Sequence, residues 1–215
     1  MKKIEALAHK ISYKITQQLD LDDEKKAVIA YGLTGLLQLI ALVLIVAIIG
    51  IIFGFFFEGM IILFSVGFMR KSTGGAHSKT MSGCNVVSVL SISFLAAISR
   101  YILSTPISSA SEYIITFLVF GICIIVFYQR VPVDNIKKPI VNADKIKRLR
   151  KQSFYKLLFF FLMTVLLIRL TNVHERFYSI ASSIKMAMIW QAITLTKRGE
   201  HILSWIDLNV NRILE

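Results

Sequence analysis

Residues 27–57 read AVIAYGLTGLLQLIALVLIVAIIGIIFGFFF, a run of 31 consecutive positions without a charged side chain. A helix that crosses the hydrocarbon core of a bilayer needs only about 20 apolar residues. The whole chain of 215 residues is 55% hydrophobic and 18% charged, whereas soluble domains are about 45–50% apolar and about 25% charged. The sequence therefore predicts an integral membrane protein, and it excludes both an ordinary soluble globule and a disordered chain.

The charged residues divide the chain into six apolar segments, which predict an all-α, polytopic fold with six transmembrane helices. The segments are residues 27–52, 53–69, 81–99, 113–129, 157–173 and 177–196. The last two contain Arg169 and Lys185, and charges at membrane depth tend to face protein or water. These two either extend to the membrane surface or line a cavity for the peptide. We therefore expect a membrane domain over residues 27–196, followed by an amphipathic tail over residues 197–215.

Residues 1–26 precede the first apolar segment and have a pattern of their own. Ile4, Leu7, Ala8, Ile11, Ile15 and Leu19 recur at spacings of three and four, and lysines occupy the rest of the circumference. This pattern predicts an amphipathic helix. Such a helix either lies in the interface of an anionic leaflet or packs its apolar face on the rest of the protein.

The distribution of lysine and arginine predicts the orientation of the six segments. If the N-terminus is cytoplasmic, 21 of the 25 basic residues fall on the cytoplasmic side and only Arg100 and Arg176 lie outside. Because basic loops stay in the cytoplasm, we expect both termini to be cytoplasmic in a multi-pass protein of the cell membrane. The net charge of +12 then reflects topology and attraction to the leaflet, and no soluble basic domain exists that would bind nucleic acid.

One cytoplasmic turn, residues 70–84, reads RKSTGGAHSKTMSGC and combines glycines with His77 and Cys84. A hairpin that merely turns the chain would explain the glycines alone. A histidine beside a cysteine can create a thiolate nucleophile near neutral pH. In a continuous helix the two residues would be about 10 Å apart along the axis, so a working pair requires a break within residues 72–83. Cys and His residues elsewhere lack metal-ligand spacing, and we expect no metal and no cofactor.

The run from Arg70 through Gly74-Gly75-Ala76-His77 to Cys84 resembles the AgrB family of accessory gene regulator membrane cysteine peptidases from Gram-positive bacteria. Two further pieces agree in order, residues 132–139 (PVDNIKKP) and residues 190–196 (WQAITLT). The resemblance implies a cysteine endopeptidase that processes a precursor peptide, with amphipathic leader and acidic tail, into a cyclic autoinducer for quorum sensing. It also implies that Cys84 is the nucleophile, that His77 is its base, and that the protein forms a homodimer.

The proposed chemistry suits these residues. Cys84 would attack a backbone carbonyl of the precursor, His77 would protonate the departing amine, and the retained peptide would pass from the Cys84 thioester to a thiolactone or lactone. Arg70, Gly74 and Gly75 are candidates to hold the oxyanion or position the substrate. The loop of residues 130–156 carries nine basic and two acidic residues, and its Lys137, Lys138 and Lys145 are candidates to attract the acidic tail.

Two other classes of function fit six hydrophobic segments. A small-solute transporter would suit the embedded charges, although the sequence has no detectable internal repeat. A membrane cysteine acyltransferase would share the thioester chemistry. Cys123, within an apolar run, is expected to be a buried small hydrophobe rather than a second nucleophile.

Overall fold

The computed structural model describes residues 2–19, 22–75, 81–105, 107–133 and 142–214. This part of the chain is helical and contains no strand, as the sequence predicts. The helices are α1 (Lys2–Gln18), α2 (Asp23–Ile52), α3 (Phe56–Thr73), α4 (Met81–Ala97), a π-helical turn (Ile98–Ile102), α5 (Ser109–Arg130), α6 (Ala143–Leu170), α7 (Arg176–Thr194) and α8 (Lys197–Leu214).

Backbone contacts divide the chain into two compact units, Met1–Ile45 and Val46–Glu215. In the first unit, α1 is the predicted amphipathic helix. Its most buried side chains, however, are the small residues Ala8, Ser12 and Thr16, while Leu7 and Leu19 are exposed. The Ser12 hydroxyl donates a hydrogen bond to the backbone oxygen of Lys26 at 2.9 Å, so α1 packs on the start of α2.

In the second unit, α7 is the central helix. It contacts α3, α4, α5, α6 and α8, and its contact with α3 is the most extensive in the molecule. Twelve of its nineteen residues are buried, and many of these are serine or threonine. Small polar side chains of this kind allow helices to approach closely, because their hydroxyls bond to the helix backbone. A helix with several buried polar side chains therefore forms the middle of this unit.

Within the described residues, four helices are long and apolar enough to cross a membrane: Asp23–Ile52, Gly83–Ile102, Ser109–Arg130 and Ala143–Leu170. These four correspond to the first, third, fourth and fifth predicted spans. By the same measure, α3 and α7 do not qualify, so the count of six spans stays a prediction. Helix α3 contains the three charged residues Glu58, Arg70 and Lys71. Helix α7 is largely enclosed by protein and need not be apolar on every side.

Helix α6 extends well beyond the apolar segment that predicted it. The predicted fifth span began at residue 157, but α6 begins at Ala143 and includes much of the basic loop. Its start is fixed by Asn142, whose side-chain oxygen accepts hydrogen bonds from the backbone N–H groups of Asp144 and Lys145. A charge marks where a helix leaves an apolar environment, whereas a capping residue marks where the helix begins.

Candidate active site

The glycine-rich stretch predicted to interrupt the helix does so. Helix α3 ends at Thr73, and α4 begins at Met81. Gly74 has φ of 70° and Gly75 has φ of 134°, a backbone region that glycine adopts without steric cost. The N–H of Gly74 donates to the carbonyl oxygen of Arg70 at 3.0 Å and closes the last turn of α3. The predicted break within residues 72–83 is confirmed.

The segment after α5 holds this break in place. The N–H of Val133 donates to the carbonyl oxygen of Thr73 at 2.9 Å. A Cβ atom on Gly74 would lie only 2.2 Å from the Val133 carbonyl oxygen, so no other residue fits there without moving the backbone. The two sequence pieces that contain Gly74 and Val133 are therefore packed against each other.

Gln191 of α7 binds the same break from the other side. Its side chain is fully buried, and its Nε2 donates to Thr73 Oγ1 at 2.8 Å and to the Gly74 carbonyl oxygen at 3.0 Å. A Cβ atom on Gly75 would lie 3.1 Å from Thr194 Oγ1 and 3.5 Å from Gln191 Nε2. The third sequence piece, residues 190–196, thus completes the frame around the glycines.

Cys84 lies in the first turn of α4 and is partly exposed. It lines a cavity of about 30 Å³ together with Arg70, Val87, Ser88, Ser91, Trp190, Thr194 and Leu203. This volume suits one or two water molecules rather than a peptide. The guanidinium of Arg70 is close enough to interact electrostatically with the Cys84 sulfur. None of the described residues that line the cavity is acidic.

Comparison with known proteins identifies the family. The family model for accessory gene regulator B matches residues 8–195. The chain belongs to this family. It is 34% identical to an AgrB-like protein of Clostridium perfringens strain SM101 and 32% identical to AgrB-like protein 2 of strain 13, in each case over 98% of the chain and 100% of the relative.

A more distant family member is an AgrB-like protein of Clostridium acetobutylicum, which is 25% identical over 70% of the chain and 68% of that protein. No solved structure matches the chain. Membership of the AgrB family implies a role in the processing of autoinducing peptides and a membrane environment.

The predicted site residues of this family member fall into three groups. Arg70, Gly74, Gly75 and Cys84 are described and lie around one end of α3. Lys145 is described in the first turn of α6 and is exposed. His77, Lys137 and Lys138 lie outside the described residues, so their predicted roles remain proposals. Gly74 and Gly75 were predicted to donate backbone N–H groups to the oxyanion. The N–H of Gly74 already donates to the carbonyl oxygen of Arg70.

A second polar cluster lies at the other end of α3 and α7. Glu58 accepts a hydrogen bond from the Ser179 hydroxyl at 2.7 Å and lies 4.0 Å from a guanidinium nitrogen of Arg100. Lys185 donates to Glu112, which also accepts from the Tyr178 hydroxyl at 3.0 Å. Lys185 faces protein, as expected of a charge at membrane depth, and its ammonium is buried in an ion pair with Glu112 instead of extending to the membrane surface.

Burial explains the role of the remaining cysteine, and it also explains the functional residues that sequence reasoning missed. Cys123 is fully buried and donates weakly to the Met188 carbonyl oxygen, which confirms its expected structural role. Thr73, Val133 and Gln191 were not predicted to act together. The available signal was a glutamine inside the last apolar segment, because a buried amide must find hydrogen-bond partners.

Proposed function

We propose that this chain is a membrane cysteine endopeptidase that removes the C-terminal tail of a quorum-sensing precursor peptide. The main support for this proposal is the cavity that Cys84 shares with Arg70, beside the glycine break that precedes His77. The cleaved peptide stays on Cys84 as an acyl thioester and passes to cyclisation as a thiolactone or lactone. This proposal assigns a chemical step to the general role that family membership implies.

Two features place positive charge close to the Cys84 sulfur. The first turn of a helix carries partial positive charge from unpaired N–H groups, and Cys84 is in the first turn of α4. Arg70 adds a full positive charge at short range. Both effects lower the free energy of negative charge that develops at this position during the reaction.

The reaction balances with the residues of this chain and the peptide alone. The Cys84 sulfur forms a bond to the scissile carbonyl carbon, and the proton from the thiol passes to His77. As the C–N bond breaks, His77 gives that proton to the leaving amine of the tail. A cysteine or serine side chain of the retained peptide then attacks the thioester carbonyl carbon and gives its proton to His77. The bond to the Cys84 sulfur breaks, that sulfur takes the proton from His77, and the ring is closed.

The oxyanion that forms in both steps needs donors. Because the N–H of Gly74 closes the last turn of α3, we propose the N–H of Gly75 and the guanidinium of Arg70 for this role. The cavity holds only about 30 Å³, so the site opens to admit the peptide and excludes most water while it is closed. Exclusion of water protects the thioester from hydrolysis.

The remaining expectations concern topology and partners. We propose six spans with both termini cytoplasmic, a homodimer, and a precursor whose acidic tail is attracted by Lys137, Lys138 and Lys145. A single cysteine that replaces Ser108 should react with an impermeant maleimide added outside the cell, and one that replaces Lys145 should not. Labelling of position 145 from outside would contradict this orientation.

Substitution of the nucleophile tests the proposed activity. Cys84→Ala should abolish cleavage of the precursor, whereas Cys123→Ala should retain nearly all of it, because Cys123 is buried in the bundle. Both variants should reach the membrane in normal amounts. Cleavage is measured by the release of the tail from purified protein in vesicles. An active Cys84→Ala variant would refute Cys84 as the nucleophile, whereas parent protein that releases no tail would refute the peptidase proposal and favour a transporter.

A further inference from the structure

A larger cavity lies at the end of α3 opposite to Cys84. Its volume is about 160 Å³, against about 30 Å³ for the Cys84 cavity, so it has room for a group of several heavy atoms. The first turns of α3 and α7 form part of its wall, and its charged or polar side chains are Glu58, Arg100, Arg176 and Ser179. The proposed peptidase reaction uses none of the residues of this arginine cavity.

Arg100 and Arg176 are an unusual pair in this sequence. Under the predicted orientation, they are the only two of the 25 basic residues that lie outside, where basic residues are disfavoured. Although they are far apart along the chain, both line the arginine cavity. Arg100 belongs to the π-helical turn after α4, and such turns occur frequently at functional sites. Topology therefore does not explain this pair, whereas a ligand of opposite charge would.

The charges that line the arginine cavity do not cancel. Glu58 accepts from the Ser179 hydroxyl at 2.7 Å and lies 4.0 Å from a guanidinium nitrogen of Arg100, which it balances. Arg176 forms no ion pair with an acidic side chain in the part of the chain that the structure describes. Its guanidinium carbon lies 6.0 Å from the centre of the Phe57 ring, a contact that leaves the charge uncompensated. The cavity therefore has an excess of positive charge.

The start of α3 adds to this excess. The helix begins at Phe56, and Phe55 at its N-cap provides no side-chain acceptor. The N–H groups in the first turn of a helix have no acceptor within the helix, and they give that end a partial positive charge. Because Phe56 and Phe57 line the cavity, this partial charge acts in the same direction as the two guanidinium groups.

The surroundings of the cavity favour an anion that carries hydrocarbon chains. Two of the helices that are long and apolar enough to cross a membrane end beside it, at Ile52 and Ile102. The ends of such helices lie where the hydrocarbon core gives way to lipid headgroups. Ile51, Ile52, Phe53 and Phe57 are each more than half exposed. A charged cavity bordered by exposed apolar side chains matches the two parts of a phospholipid.

We propose that the arginine cavity binds the phosphate group of an anionic membrane phospholipid, which under the predicted orientation belongs to the outer leaflet. The planar guanidinium of Arg176 is suited to two parallel hydrogen bonds with phosphate oxygens, and Arg100 supplies the second positive charge. The acyl chains pack on exposed side chains such as Ile51 and Phe57. This site is independent of the proposed peptidase activity, because it lies at the opposite end of α3 from Cys84.

The test uses purified full-length protein in dodecyl maltoside micelles. Phosphatidylglycerol is added in steps, the bound lipid is counted by native mass spectrometry, and Tm is measured at each step. Phosphatidylcholine with the same chains tests the need for net negative charge, and glycerol 3-phosphate tests the need for chains. Arg176→Gln removes an exposed guanidinium that has no acidic partner to leave behind. Arg169→Gln is the matched control, because it removes the same charge from an exposed position in the last turn of α6 that does not line the cavity.

The parent protein should bind one phosphatidylglycerol about tenfold more tightly than phosphatidylcholine, and its Tm should rise as the site fills. Arg176→Gln should weaken the binding of phosphatidylglycerol about tenfold, which corresponds to the loss of one charge-assisted hydrogen bond. Arg169→Gln should keep the parental affinity. Glycerol 3-phosphate should bind about a hundredfold more weakly than the lipid, because it lacks the chains that bury apolar surface.

Four results would overturn the inference. Equal losses in Arg176→Gln and Arg169→Gln would assign lipid binding to general surface charge, and equal affinities of the parent for the two lipids would remove the role of net charge. Glycerol 3-phosphate that binds as tightly as phosphatidylglycerol would make the cavity a site for a soluble phosphate. Ile180→Trp is a second variant, which fills part of the cavity without a change of charge. It should also weaken the binding of phosphatidylglycerol, and unchanged binding would place the lipid elsewhere.

Discussion

The two ends of the α3–α7 pair contain polar groups that are used in opposite ways. At one end, Glu112 and Lys185 form a buried ion pair, and Glu58 is bonded to Ser179 near Arg100. At the other end, about 18 Å along α3 at 1.5 Å per residue, Arg70 shares a cavity with Cys84, and the lining residues described there include no acid.

This difference indicates that the end with Glu112 and Lys185 has a structural role and that the end with Cys84 is available for chemistry. Where every buried charge has an opposite partner, the partners neutralise each other and nothing remains to polarise a substrate. Where a guanidinium faces a thiol beside a helix N-terminus, the excess of positive charge favours an anion. We therefore expect substitutions at the first end to change stability, and substitutions at the second end to change cleavage.

The largest expected effect on stability comes from breaking the buried ion pair. Lys185→Met leaves the Glu112 carboxylate buried without its cation, and the loss of one partner of such a pair costs about 3–5 kcal/mol. Unfolding in mixed detergent micelles, followed by circular dichroism, measures this loss. Cleavage per folded molecule should not change.

The double variant Lys185→Met with Glu112→Gln is the control for that prediction. It removes both charges and leaves a neutral amide that can still accept from Tyr178, so it should recover most of the lost stability. If the double variant is as unstable as Lys185→Met, packing around residue 185 rather than charge pairing stabilises this end.

The sequence predicted this division of roles only in part. The all-helical fold and the break in residues 72–83 followed from apolar runs and glycines, because these are local properties. The partner of Lys185 could not be predicted, since Glu112 is 73 positions away and charge alone does not specify which helices touch. The link from Gln191 to Gly74 spans 117 positions and was missed for the same reason.

An effect of intermediate size is expected at the Cys84 end, because the site there depends on the backbone conformation of Gly74. Gly74→Ala would place a Cβ atom 2.2 Å from the Val133 carbonyl oxygen, at a φ of 70°. The left-handed backbone costs a residue other than glycine about 1–2 kcal/mol, and the displaced Val133 adds to it. We expect a total loss of about 2–3 kcal/mol in the same unfolding assay, with reduced tail release.

Gly67→Ala is the matched control on the same helix. A Cβ atom at Gly67 meets nothing within 4 Å, and alanine in a helix interior is more favourable than glycine by roughly 0.5–1 kcal/mol. This variant should be as stable as the parent or slightly more stable, with full cleavage. Equal losses in the two variants would mean that the contact with Val133 does not support the site.

The smallest effect is expected for the ion pair of Glu58 and Arg100, at the same end as Glu112 and Lys185, because Arg100 reaches solvent. The Arg100 side chain is 37% exposed, whereas the Glu58 side chain is 6% exposed. In Glu58→Gln the remaining oxygen still accepts from Ser179, and water solvates Arg100, so the loss of stability should be about 1 kcal/mol or less.

Glu112→Gln is the informative comparison, because it leaves Lys185 buried without a counter-charge and should cost several times more in the unfolding assay. Both variants should cleave the precursor at the parental rate per folded molecule, since neither carboxylate lines the Cys84 cavity. A large drop in kcat for Glu58→Gln at unchanged stability would break the comparison and assign a role in the reaction to the end that we regard as structural.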